Sequence, residues 1–169
     1  MRALQDERAR VRGAQRGSVS DLEALFRAHW PRAYRAAYLV THDPGAAEDI
    51  AQESFLAAIR ALDTFDRRRP LGPWLHRIVV NRAIDWTRAR RLRSEVELTE
   101  SLRAPEAGDP PGDDVLAKLG RLSPEHRAVV VMRYVLDFTP GEIAETLGLP
   151  RGTVNSRLRR GLDVLGEEL

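Results

Sequence analysis

The stretch Thr139-Pro140-Gly141-Glu142-Ile143-Ala144-Glu145-Thr146-Leu147-Gly148-Leu149-Pro150-Arg151-Gly152-Thr153-Val154-Asn155-Ser156-Arg157-Leu158 carries the start and stop signals of two short helices. Thr139 and Glu142 have capping-box spacing, and Pro140 falls at the first helical position, where its missing N–H costs nothing. Gly148 stops that helix, and Leu149-Pro150 opens a second over residues 151–165. Two short helices across a tight glycine turn form the helix-turn-helix pattern. Ile143, Ala144, Leu147, Leu149, Val154 and Leu158 are its expected core, with Ala144 small enough for two helices to meet. The second helix then exposes Arg151, Gly152, Thr153, Asn155, Ser156, Arg157, Arg159 and Arg160, four arginines and no acid. Its first turn suits phosphate, and the next turn suits base edges in a major groove. The bland alternative is a solvated basic helix in a bundle.

Upstream, the chain also reads as helical. Ser20 and Glu23 have capping-box spacing before Leu22, Leu25, Phe26 and Trp30, and Pro31 is expected to kink that helix. Asp43-Pro44 opens another, with Ile50, Phe55, Leu56, Ile59 and Leu62 at helical spacing. A basic loop at 63–73 leads into a third helix over about 74–91, carrying Trp74, Leu75, Ile78, Val79, Ile84 and Trp86. Val115 to Leu119 starts the last part, and Ser123-Pro124-Glu125 caps a helix running to about Leu136. Strand-like patterning is confined to the short run Val129 to Met132.

Charge divides the chain more clearly than hydropathy does. Its 27 basic residues (all but Lys118 arginine) against 25 acids leave a formal net charge of only +2. Yet residues 67–93 hold nine arginines and one acid, Asp85, whereas residues 94–114 hold seven acids and one arginine. The acidic stretch also contains Pro105, Pro110 and Pro111 and little to bury, so 95–112 reads as a flexible linker. The expected fold is therefore all-α, two small helical domains joined by that linker. Trp74, Trp86 and Phe65 interleave with the arginines of 67–93. Aromatic faces beside guanidinium groups are what unstacked single strands need, although each ring has core packing as its plainer explanation. Glu48, Asp49, Gln52 and Glu53 form one acidic helix face, which either balances charge or docks a basic partner.

These motifs, in this order, resemble a bacterial sigma factor of the extracytoplasmic-function (ECF) group of the sigma-70 family, with regions 2 and 4 only. The N-terminal resemblance rests on Ala47-Glu48-Asp49-Ile50-Ala51-Gln52-Glu53 with Phe55, then Trp74-Leu75, Ile78, Asn81, Asp85-Trp86 and Arg88. The C-terminal one rests on Leu122-Ser123-Pro124-Glu125-His126-Arg127, Glu142-Ile143-Ala144-Glu145 and Gly152-Thr153-Val154 with Ser156-Arg157-Leu158. Residues 18–93 then correspond to region 2, 94–112 to the linker and 113–169 to region 4.

The resemblance implies a protein that joins core RNA polymerase, through its largest and second-largest subunits, and takes it to promoter DNA. Asp49, Gln52, Glu53, Phe55 and Ile59 stand where the family meets the polymerase clamp. Phe65, Arg67, Arg68, Trp74, Asn81, Arg82, Asp85, Trp86 and Arg88 stand where it melts and holds the −10 element, with a base flipped into a pocket. Arg151, Gly152, Thr153, Asn155, Ser156, Arg157, Arg159 and Arg160 would read the −35 element as duplex. The family often has Lys or Arg where this chain has Asn155. Asparagine pairs well with adenine and arginine with guanine, so a different −35 preference is expected. An anti-sigma factor is a further implied partner.

The composition excludes several other classes. With no cysteine there is no disulfide, thiolate zinc site or thiol nucleophile. His29, His42, His76 and His126 are scattered without metal-ligand spacing, and no glycine-rich phosphate loop is present. No enzyme activity, metal or cofactor is expected. No apolar run is long enough for membrane insertion, and residues 1–16 lack the apolar core of a secretory signal, so the expected location is cytoplasmic. A regulator that binds duplex DNA through the C-terminal unit alone is the competing class; dependence on polymerase separates the two.

Overall fold

A computed structural model describes residues 2–100 and 114–166. All regular structure among them is helical. Helix α1 spans Arg2–Gln15, α2 Val19–Thr41, α3 Pro44–Ala61 and α4 Leu71–Glu100. Helix α5 spans Asp114–Arg121, α6 Pro124–Tyr134, α7 Pro140–Leu147 and α8 Arg151–Gly166. A 3-10 turn, Leu62–Thr64, follows α3.

Most helices begin where a side-chain oxygen meets an unpaired N–H group. Asp43 accepts from the Ala46 N–H at 2.9 Å, and Ser123 caps α6 as its spacing predicts. The cap of α2 is Ser18, which accepts from the Asp21 N–H, rather than Ser20. Ser20 already lies in the first turn, where its hydroxyl meets that of Ser18 at 3.2 Å. Helix α2 continues through Pro31 to Thr41. Helix α4 starts earlier and ends later than its expected limits of 74 and 91. Residues 94–100 contain no Gly or Pro, and an Arg91–Glu95 pair at 3.1 Å ties one turn to the next. The expected linker thus begins as helix, and its remainder from residue 101 to 112 lies outside the described residues. The charged N-terminus, read only as lacking a signal, is helix α1.

The apolar core explains the topology. Ala33, Ala36, Ala37 and Val40 of α2, Leu75, Val79, Val80 and Ala83 of α4, and Ala128 to Met132 of α6 belong to one buried cluster. Val129, Val131 and Met132, the run that looked strand-like, lie in α6 with no exposed surface. A helix enclosed on several sides needs no amphipathic stripe. The two helical units therefore touch directly, with α6 against both α2 and α4. Gly161 makes the tightest approach in the second unit, because a Cβ there would lie 2.8 Å from Val130 Cγ2.

Polar groups pin the same seam. Arg127, 8% exposed, donates to the carbonyls of Leu119 (2.8 Å), Gly120 (3.1 Å) and Leu122 (2.9 Å). It also reaches across to the Val40 carbonyl of α2 at 2.9 Å. Arg32 donates to the Val135 carbonyl and to Asp137, and His42 Nε2 lies 3.1 Å from the Leu116 carbonyl.

Two histidines make this packing sensitive to acid. Burial, followed by the nearby Arg32 and His29 charges, lowers His76 from 6.5 to about 4. Burial and Arg127 lower His42 likewise to about 4. The unfolded chain takes up protons between about pH 6.5 and 4 that the folded protein refuses. Their contribution is therefore complete above 6.5 and lost as pH falls through that window. For His76 the loss from pH 7 to pH 5 is roughly 2 kcal/mol. Urea titrations at the two pH values check it: His76→Met is expected to flatten the dependence, and an unchanged slope would exclude His76 as its source.

Candidate nucleic-acid interface

The helix-turn-helix is built as its sequence dictates. Thr139 Oγ1 accepts from the Glu142 N–H, and the Glu142 carboxylate accepts from the Thr139 N–H and hydroxyl, both at 2.8 Å. Those two bonds, aided by the Arg77 charge and opposed by slight burial, hold the Glu142 carboxyl below the usual range. Gly148 ends α7 with φ 62°, a left-handed conformation that suits glycine. Ile143, Val154 and Leu158 are buried, while Ala144, Leu147 and Leu149 pack against them partly exposed.

On the far side of α8, Arg151, Gly152, Asn155, Arg159 and Arg160 are exposed, and Thr153, Ser156 and Arg157 are half-buried. Arg151, Asn155 and Arg159 follow one another at four-residue spacing on one face. None of Arg151, Arg157, Arg159 or Arg160 forms an ion pair among the described residues. Their field is felt locally: burial first, then Arg157 and Arg160, lowers the pKa of His126. Ser156 donates its hydroxyl back to the Thr153 carbonyl at 3.0 Å.

A second basic surface lies on the first unit. Arg67, Arg68 and Arg69 are exposed in the loop before α4, where Asp66 Oδ1 accepts from the Arg68 N–H at 3.0 Å. Phe65 is only 8% exposed and packs on half-buried Trp74, with ring centroids 4.7 Å apart. The pair is part of a small apolar cluster, and it also walls an open cleft of about 670 Å³ together with Asp66, Arg69 and Arg77. Glu142 and Glu145 of α7 form the opposite wall. Further along α4, Arg90 stands over the Trp86 ring at 5.1 Å.

Asn81, Asp85 and Arg88 are exposed on α4, one helical turn apart. They share a small cleft of about 70 Å³ with Arg157 and Glu125 of the other unit. The structure thus faces α4 residues expected at the −10 element towards α8. Arg82 instead pairs with Glu53 at 3.0 Å, joining α4 to the acidic face of α3. On that face Glu48, Asp49, Gln52 and Glu53 are all exposed. Phe55 is buried against Phe26, whereas Leu56 and Ile59 are exposed, contrary to a continuous core stripe. Phe55 and Ile59 border an almost wholly apolar groove of about 290 Å³ with Val19, Leu22 and Phe26. The groove escaped sequence reading because its walls come from α2, α3 and α4.

The geometry offers two arginine surfaces, one on a recognition-type helix and one beside aromatic rings. Each surface lies in a segment that a known family matches. The family model for sigma-70 region 2 matches residues 25–93, and that for sigma-70 region 4 matches residues 113–165. The chain belongs to the sigma-70 family. Its relatives are of the ECF group. The ECF RNA polymerase sigma factor SigL of Mycobacterium tuberculosis (strain ATCC 25618 / H37Rv) is 35% identical, covering 93% of each chain. SigW of Bacillus subtilis (strain 168) is 30% identical, covering 95% of each. Among solved structures, CnrH in complex with the cytosolic domain of CnrY superposes with a TM-score of 0.69 at 28% identity, over 96% of each chain. RpoE of Bartonella quintana shares the fold at the same TM-score and 22% identity, over 88% of this chain and 96% of that one. Helix α1 and the first part of α2 of this sigma factor lie ahead of the region 2 match. No described helix is long and apolar enough to cross a membrane, and no described group of His, Asp or Glu is arranged to hold a metal ion.

Proposed function

We propose that this sigma factor binds core RNA polymerase, reads the −35 element as duplex and the −10 element as melted single strand, and so starts transcription at its promoters. It supplies recognition and strand separation, while the polymerase supplies the chemistry. The observation that carries this reading is the pairing, in one chain, of an arginine-rich face over the first ten residues of α8, 151–160, with an arginine-aromatic loop beside an open cleft. Major-groove reading suits the first, and stacking of unpaired bases suits the second. Residues 18–93 act as region 2 and 113–169 as region 4, joined through 94–112.

Asp49, Gln52 and Glu53, with Ile59 and the apolar groove at its edge, form the surface offered to the polymerase clamp. The Arg82–Glu53 pair is exposed at both ends and worth little by itself, so each side chain is free to exchange partners. Phe65, Arg67, Arg68, Trp74, Asn81, Asp85, Trp86 and Arg88 take the −10 strand. Arg151, Gly152, Thr153, Asn155, Ser156, Arg157, Arg159 and Arg160 take the −35 duplex. An anti-sigma factor is the proposed regulator, supported by the likeness to CnrH, which was solved with a domain of another protein. The site of action is the cytoplasm, where RNA polymerase works.

Run-off transcription on fragmented genomic DNA tests the reading. Core polymerase plus this chain is expected to give discrete transcripts that core alone does not. Tight binding to promoter duplex without polymerase, and no transcript with it, would instead mark a simple DNA-binding regulator.

A further inference from the structure

The loop at 62–71 makes few hydrogen bonds within itself, yet its backbone is held at both ends and in the middle by α1. Gln15 Nε2 donates to the Leu62 carbonyl at 2.9 Å and to the Phe65 carbonyl at 3.3 Å. Arg8 donates to the Arg68 carbonyl at 2.8 Å. Glu7 Oε1 accepts from the Leu71 N–H at 2.9 Å, an N-terminal cap on α4 supplied by another helix. The other Glu7 oxygen lies 3.1 Å from His29 Nε2 of α2, which fixes the carboxylate. Between these polar ties, Val11 is 2% exposed and packs with Leu25, Leu62, Phe65 and Leu71.

We propose that α1 is a splint for strand capture: Gln15 and Glu7 are positioning residues that hold the 62–71 loop in the shape that receives the −10 single strand. This rests on the promoter reading above. A loop ordered beforehand loses less conformational freedom when it takes hold of a strand, so the splint speeds melting without touching a base. Gln15 contributes two N–H donors, and any side chain that restores a donor there should restore the function. Glu7 contributes an acceptor, which glutamine retains and leucine lacks.

The test uses holoenzyme assembled from core polymerase and full-length variants, on a promoter found with the unaltered chain. A 2-aminopurine in the −10 non-template strand reports the unstacked base. Gln15→Leu is expected to slow appearance of that signal about tenfold, the usual consequence of two partly buried carbonyls losing their donor. Gln15→Lys, which keeps donors, is expected to stay within about twofold. Glu7→Leu against Glu7→Gln should repeat the pattern independently, should either Gln15 variant fold poorly. Binding of the −35 duplex and of core polymerase should be the same throughout. Full-speed signal from Gln15→Leu and Glu7→Leu, or equal defects in the donor-keeping and donor-lacking variants, would overturn the splint alone. No transcript from the unaltered chain would overturn the promoter reading and the splint with it.

Discussion

Arg127→Leu is expected to destabilise the protein by about 3 kcal/mol, the scale on which a buried charged group's partners are abandoned. The guanidinium has no carboxylate partner among the described residues; it serves four carbonyls. Two belong to the last turn of α5, one to the turn before α6, and one to the end of α2. These are helix C-termini, where carbonyls lack intrahelical donors and the helix dipole favours a cation. Burial lowers the Arg127 pKa to about 10, so the group remains charged across the physiological range. Leucine would fill much of the volume but satisfy none of the oxygens. Arg127→Lys should recover only part of the loss, since three donors on one nitrogen do not match the planar fork. A fall in urea midpoint at constant slope would report this effect. A change under about 0.5 kcal/mol would place Arg127 among ordinary surface substitutions and remove it as the tie between units.

The second large effect concerns α8. The Arg159→Ala/Arg160→Ala double variant is expected to weaken −35 binding by ten- to a hundredfold for every sequence alike. It should also reduce the salt dependence by about two charges. Both side chains are exposed, and neither forms an ion pair among the described residues. Asn155→Arg should leave overall affinity for the best site nearly unchanged but shift preference from adenine towards guanine at one position, by about 1–3 kcal/mol. A binding selection in holoenzyme separates the two. Identical preferences for Asn155 and Asn155→Arg would remove Asn155 from base reading. Arg157→Ala also alters the cleft it shares with Asn81, Asp85 and Arg88. Its effect should therefore include the seam between units.

The helix-turn-helix was legible because its signals are local. Thr139, Glu142, Gly148 and Pro150 each specify a bond or a dihedral within a few residues. Asp43 and Ser123 were legible for the same reason. Helix α1 was not, because its inward side mixes Val11 with Glu7 and Gln15, whose partners lie about fifty residues or more away in the 62–71 loop. Pattern reading sees polar residues there and cannot tell a splint from a solvated face. The charge asymmetry of 67–93 and the burial of Phe55 were visible, but the burial of Phe65 and the exposure of Leu56 and Ile59 were not. The Phe65 ring could equally have been a platform, and only tertiary packing decides. The direct contact between units was also hidden, since small residues such as Ala33, Ala36 and Ala37 advertise no partner.

The carboxylates of α7 lining the Phe65–Trp74 cleft have one more implication. There Glu145 already holds Arg77 at 3.4 Å, so a phosphodiester chain entering the cleft would have to displace that carboxylate, and like charges at close range repel. The folded-together shape and the DNA-gripping shape are therefore rivals for the same space. Prising α6 away from α2 and α4 wets a dry apolar seam, so whatever draws the halves apart must bring interactions of its own to compensate. Substitutions that loosen the seam should make the isolated protein melt at lower temperature and, at the same time, load onto DNA more readily.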